Sequence, residues 1–403
     1  MKRYYPDDAT GDIASRGTSL LKWMPKRTNM FGYDASGTYA YAVGLSNAQG
    51  MGSTVANAQS NVTASKAIQF KAERKKHYGL ITLDGETMQA SRNAKGAFWE
   101  ARKREIDMIL DGVGEEEEFG LFGDGTGNRG QISAISTGVI NLTVPGTVRN
   151  FRLNMKLSAD TAAAATGTRR AGTGWVIATD EDAGTITVSA TQGGAAGTPT
   201  AWAANDYLFR NTYEGTAAGT NVEGLAAILP LAAPSASESF RGVDRSIDPR
   251  RLAGVRINDT STSIEENAGN AAVKISELGV PKADDLVLFL SPTNLWNVLK
   301  RRTSQVVYQG GGGEMRYGFN SGFIETPAGV IAMKASPLCP DNRGYLLNKS
   351  TWFLASLSPV PHIIDDDGNM ELRSTTDDGV EIRVRSMRNP VCLEPGKNAV
   401  FAI

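Results

Sequence analysis

The alternation of apolar and polar positions changes period along the chain, and each change marks an element. From residue 66, Ile68, Phe70 and Ala72 alternate with Gln69, Lys71 and Glu73, which predicts a strand with one face exposed. Over 92–121 the period becomes helical: Phe98, Trp99, Ile106, Ile109, Leu110 and Val113 fall on one side, and Lys95, Glu100, Lys103, Arg104, Asp107 and Asp111 on the other. Gly112 and Gly114 lie inside this helix, each costing about 1 kcal/mol relative to Ala, so the helix is expected to bend or flex there. After Gly123 come short β-like runs at 138–144, 175–179, 185–189 and 207–210, separated by turns rich in Gly, Asp and Ala. Asp182-Ala183-Gly184 fits a hairpin turn, since Gly adopts a positive φ at little cost. These runs predict a small β-barrel or sandwich. Beyond Gly224 the pattern is mixed α+β: a helix near 261–278, a buried strand at 286–290, and a helix at 292–302 with Pro at its first turn. The last clear strand alternates Val380, Ile382 and Val384 with Glu381, Arg383 and Arg385.

The first 38 residues follow no period. Tyr4, Tyr5, Trp23, Phe31 and Tyr33 are scattered among Gly, Asp and Lys, the pattern of an extended arm that must dock on something. A short strand at 39–44 leads into 47–66, rich in Gly, Ala, Ser, Asn and Gln. With the strand from 66 onward, this predicts a projecting β-hairpin.

Composition narrows the function classes. The 403 residues exceed one compact domain, so two or three units with separate cores are expected. The 42 Lys and Arg balance 43 Asp and Glu, which excludes nucleic-acid binding driven by net charge. Cys339 and Cys392 match neither a metal spacing nor a disulfide framework and are expected to be buried free thiols. No apolar stretch follows the basic start, and wholly apolar runs reach only about five residues, so neither a signal peptide nor a membrane span is expected.

Candidate chemistry is sparse. His77 and His362 stand outside any HExxH or GxSxG context. His77 closes the basic cluster Arg74-Lys75-Lys76-His77, which reads as a solvated face or a contact with an acidic neighbour. Gly123-Asp124-Gly125-Thr126-Gly127-Asn128 follows a helix and is closed by no Lys-Ser/Thr, so it reads as a helix stop with tight turns and not as a phosphate cradle. The glycines at 310–313 read as a flexible loop. Two acidic runs, at 115–118 and 365–367, lack calcium-loop spacing and are expected to be solvated or to face another subunit. No catalytic, metal or cofactor site is expected.

Order along the chain carries more information. A strand over 68–83, the link Asp84-Gly85-Glu86, the long helix and then Leu121-Phe122-Gly123-Asp124-Gly125-Thr126-Gly127 follow one another. This order resembles the major capsid proteins of tailed bacteriophages, the Hong Kong 97-type fold, in which a projecting hairpin leads into a spine helix ending in a GDGTG-like turn. Downstream, Leu286-Val287-Leu288-Phe289-Leu290-Ser291-Pro292-Thr293-Asn294 is similar to the strand and helix of that family's axial domain. Pro327-Ala328-Gly329-Val330, Gly344-Tyr345-Leu346-Leu347 and the strand over 379–390 follow in the family's order.

The resemblance implies an N-terminal arm at 1–38, an extended loop at 39–83, a peripheral domain with the spine helix at 84–135 and an axial domain at 223–362. Strands at 363–390 would return to the peripheral domain, and 391–403 would end on the axial domain. Residues 136–222 are absent from the minimal fold and are expected to form an inserted β domain, a small barrel or sandwich. The implied role is structural, not enzymatic: hexamers and pentamers of an icosahedral shell around double-stranded DNA that is touched non-specifically, assembled in the host cytoplasm and found in the virion.

No long helical region precedes the arm, so the resemblance implies a separate scaffolding protein, with a portal protein and a decoration or cement protein as further partners and no membrane. Lys66, Lys71, Arg74, Lys75 and Lys76, and the acids Glu115, Glu116, Glu117 and Glu118, are expected at contacts between subunits. Some family members cross-link a loop lysine to an asparagine, and Lys66, Lys71, Lys75 and Lys76 lie in that region. Gly112 and Gly114 are the expected flex point of the spine helix. Two other readings compete: an encapsulin-like compartment shell, and a β-rich adhesion or glycan-binding protein supported by the Ala/Gly/Thr-rich stretch at 136–220.

Overall fold

The computed structural model describes residues 18–31, 37–84, 95–164, 167–210, 221–236, 238–279, 285–302, 323–326, 329–365, 368–369, 372–373 and 378–403. Its architecture is mixed α+β, and two six-stranded sheets and a closed barrel hold most of the described strands.

A central mixed sheet runs in the order Val255–Ile257, Ala399–Ala402, Arg343–Asn348, Leu286–Leu290, Gly329–Ala335, Phe323–Thr326. Leu286–Leu290 is buried along its whole length, so its run is apolar on both faces. Leu286, Leu288 and Leu290 pack under the helix Ile264–Ser276, whose Ala268, Ala271 and Ala272 allow a close approach. Val287 and Phe289 face a second core that contains Trp23, Leu121 and Phe122. Both predicted helices are present, Ile264–Ser276 capped by the Ser263 side chain and Pro292–Arg302 as read from the sequence.

In the second sheet the long strand Gly379–Cys392 pairs with Trp352–Ser356, His362–Ile363, Leu372–Arg373 and Lys75–Asp84. The helix Lys95–Phe122 lies across it, burying Ile106, Leu110 and Val113 against Ile81, Ile382 and Val384. Gly79 lets the two elements approach: a Cβ there would stand 3.0 Å from a Val113 methyl. The helix continues unbroken through Gly112 and Gly114.

Asn128–Ser136, Val139–Leu142, Thr185–Ser189, Gly174–Asp180, Lys156–Asp160 and Tyr207–Arg210 close into a barrel. The predicted runs thus form a barrel and not a sandwich, with its own core of Ile132, Ile140, Leu157, Val176, Ile186, Val188, Trp202 and Leu208. Its first strand starts at Asn128, directly after the glycine turn, so the barrel takes in residues that the sequence reading placed before the insertion. Gly184, at φ +67°, turns the hairpin expected at Asp182-Ala183-Gly184.

One further expectation is corrected. The strand read over 68–83 is broken at Arg74: Lys66–Glu73 pairs with Thr38–Ser46, and Lys75–Asp84 joins the other sheet. Of the arm, residues 18–31 dock on their own chain, because Leu20, Leu21, Trp23 and Met24 are large enough to complete the core around Phe289. Residues 1–17 lie outside the described residues.

Candidate assembly surface and its charge junction

The hairpin Thr38–Ser46/Lys66–Glu73 has a fixed base and an open tip. At the base, Tyr41, Val43, Leu45, Phe70 and Ala72 share one face and pack on Phe31, Val243, Leu252, Phe353 and Val391. The connecting segment forms the short helix Val55–Ser60, started by Thr54 Oγ1 accepting from the Asn57 amide, and this helix buries no side chain. Met51, Val55 and Val62 are 71, 76 and 70% exposed there. Three large apolar side chains on an uncovered tip favour burial against another surface. Lys66 and Lys71 stand exposed along the same hairpin. Nearby, Tyr78 and Leu80 are exposed on the ribbon Lys75–Asp84/Gly379–Cys392, in register with Arg385 and Arg383.

The rest of the basic cluster is divided by burial. Lys76 is exposed and Arg74 half-buried, whereas Lys75 is buried, with its ammonium 3.1 Å from Glu73 and 3.8 Å from Glu223. Lys75 is therefore occupied within its own subunit.

The four glutamates closing the long helix are also engaged internally, which corrects the reading of a solvated or intersubunit run for Glu116, Glu117 and Glu118, exposed by 8, 0 and 1%. Successive helix positions differ by about 100° in direction, so four adjacent acids point to four different neighbours. Glu115 pairs at the surface with Arg152 of the barrel, 3.1 Å. Glu116 receives Arg129 and Arg210, both from the barrel. Glu117 faces Arg388 on the long strand, 3.3 Å. Glu118 accepts from the amides of Ser19, Leu20 and Leu21 and from the Ser336 hydroxyl, so it caps the short helix Leu20–Trp23 from a distant position in sequence.

Charge shifts follow. Burial alone would raise Glu116, but Arg129 and Arg210 outweigh it and hold the carboxyl down at about 2. His77 sits beside this cluster and is lowered to about 4, first by burial and then by the Arg388 guanidinium.

The remaining candidates are structural or fall outside the described residues. In the glycine turn, Asp124 Oδ1 accepts from the Thr126 amide and hydroxyl, and Gly125 and Gly127 have φ of +91° and +77°, as a helix stop requires. Cys339 and Cys392 are buried and unbridged; burial pushes the Cys392 thiol up to about 12 and raises Cys339 as well. His362 stands 3.8 Å from Asp365. The glycines at 310–313 and Asp366 and Asp367 are not among the described residues. No group of three His, Cys, Asp or Glu side chains converges among the described residues, nor does any described helix have the length and apolarity to cross a membrane.

Sequence reasoning missed Arg129, Arg152, Arg210 and Arg388, the partners of the acidic run. The available signal was the run itself: four adjacent acids on a helix cannot share one solvated face.

No family model matches the chain, and no curated protein matches it. Solved structures do. The capsid asymmetric unit of cyanophage A-1(L) aligns over 95% of this chain and 91% of its own, at 13% identity and a TM-score of 0.50. The chain has the fold of that capsid subunit. The capsid of a native GTA particle aligns over 97% of this chain and 90% of its own, at 8% identity and a TM-score of 0.48. A virus-like particle from Pyrococcus furiosus aligns over 98% and 96%, at 8% identity and a TM-score of 0.41.

Proposed function

We propose that this chain is the major capsid protein of a tailed bacteriophage, the repeating subunit of an icosahedral shell, and that its activity is assembly. The observation that carries the reading is the fold shared with a cyanophage capsid subunit over 95% of the chain. The exposed apolar tip of the hairpin supports it independently, since Met51, Val55 and Val62 are uncovered by their own subunit and would be covered in a shell.

On this reading the fold is of the Hong Kong 97 type. Residues 1–38 serve as the arm and 39–83 as the extended loop. Residues 84–135 with the long helix form the peripheral domain, to which 363–390 return, and 223–362 form the axial domain, completed by 391–403. The barrel is an inserted domain. Gly112 and Gly114 are where the spine helix flexes as the shell expands. Lys66, Lys71 and Lys76, exposed or beside the exposed tip, remain the candidates for contact with a neighbouring subunit. The partners are further copies in hexamers and pentamers, a separate scaffolding protein, a portal protein, a decoration or cement protein, and packaged double-stranded DNA. Assembly takes place in the host cytoplasm and the product is the virion.

Co-expression with its scaffolding partner should give closed particles hundreds of ångströms across in negative stain. A chain that stays monomeric under every assembly condition, with its hairpin tip protected from proteolysis, would overturn the proposal.

A further inference from the structure

The barrel is attached in an unusual way. Its apolar core shares no residue with the apolar clusters of the rest of the chain among the described residues. Among the described residues, hydrogen bonds and ion pairs join barrel and body, together with the Arg129 guanidinium over the Phe119 ring. Arg149 reaches Asp341 at 3.0 Å and the Cys339 carbonyl at 2.6 Å, and Arg152 reaches Glu115. Beside these contacts an open groove of about 600 Å³ separates the two, lined by Phe122, Gln131, Arg149, Leu338 and Arg343.

The chain enters the barrel through Asn128–Ser136 and leaves it through Tyr207–Arg210, and these strands are neighbours, with Phe209 in register with Asn128. Each carries an arginine at the crossing. Arg129 and Arg210 converge on the single carboxylate of Glu116. Arg129 is fixed further by the Phe119 ring, 4.3 Å below its guanidinium, and by the Asn150 carbonyl at 2.7 Å. Both chain crossings are therefore pinned at one point on the long helix.

We propose that the barrel is a swivelling module: a body with its own core, joined through a two-strand neck whose pivot is Glu116, able to change its angle on the subunit without unfolding. The absence of a shared apolar core removes the usual resistance to such a motion, because directional charge contacts can be exchanged while buried apolar packing cannot slide freely. The groove supplies the room. The proposal concerns the isolated subunit and stands whether or not the shell reading does.

Hydrogen–deuterium exchange on the full chain, read by mass spectrometry, tests it with Glu116→Gln. Amides at the neck, around 114–130 and 149–153, should exchange about tenfold faster, while those of the barrel core at Ile140, Ile186 and Val188 keep their rates. Faster exchange in the barrel core by the same factor would mean that barrel and body are one cooperative unit, and an unchanged neck would mean that Glu116 pins nothing. Either result overturns the proposal. Should Glu116→Gln fail to fold, Arg210→Ala removes one of the two cations from a side chain that is only two-thirds buried, and the same two readouts decide.

Discussion

Glu117 Oε1 and Arg388 Nε lie 3.3 Å apart with both side chains almost completely buried, which ties the closing turns of the long helix to the strand Gly379–Cys392. Removing one member strands the other charge away from water, at a cost of about 3 to 5 kcal/mol. Arg388→Ala should therefore lower the urea midpoint of the subunit sharply, whereas the double variant Glu117→Leu/Arg388→Met should recover most of the loss. A single variant that unfolds at the wild-type midpoint would show that the pair is more hydrated than its burial implies.

Acid should loosen the same region in two steps. His77, lowered to about 4 from an ordinary 6.5, resists a proton in the folded chain that the unfolded chain accepts. Glu116, held at about 2 against an ordinary 4.5, does the same at lower pH. The unfolded state thus binds more protons throughout, so the stability from both groups is present near neutrality and lost as pH falls, His77 first. Urea midpoints measured from neutral pH down to about 4 should decline, and His77→Asn should flatten the upper part of that decline. An equally steep decline in His77→Asn would place its source elsewhere.

At the hairpin tip, stability and assembly should separate. Val55 and Val62 contact little of their own subunit, so Val55→Asp and Val62→Asp should change folding stability by less than about 0.5 kcal/mol. Burying either carboxylate against a neighbour is expensive, so particle yield in negative stain should collapse. Normal particle yield from the double variant would show that the tip stays solvated in the assembled product.

How much of this was legible in the sequence depends on the range of the interaction. Thr185–Ser189, Tyr207–Arg210, Leu286–Leu290 and Pro292–Arg302 appear at the predicted positions because alternation, continuous apolarity and an N-terminal proline are local signals. The break at Arg74 is not local: the same alternation runs on both sides of it, and only pairing with Thr38–Ser46 or with Gly379–Cys392 assigns each half to its sheet. The acidic run was misread for the same reason. Burial of Glu116, Glu117 and Glu118 depends on Arg129, Arg210, Arg388 and the Ser19–Leu21 amides, which no spacing rule connects to them.

Gly112 separates the flexing role proposed for the long helix from simple helix stability. The residue is exposed, and a Cβ built there meets nothing within 4 Å, so Gly112→Ala fits without strain. Replacing glycine by alanine at such a site stabilises a helix by about 1 kcal/mol, partly by narrowing the unfolded ensemble. In a chain of this length the melting temperature should rise by about 2 °C or less, which calorimetry on the unassembled subunit can read. If the helix bends at Gly112 while the shell expands, the stiffer variant should assemble at the normal yield but expand more slowly, followed as particle diameter by small-angle scattering after an expansion trigger. A more stable subunit whose shells expand at the wild-type rate would move the flex point away from Gly112, leaving the helix as a rigid strut that carries the barrel neck, the long strand and the helix Leu20–Trp23 as one unit.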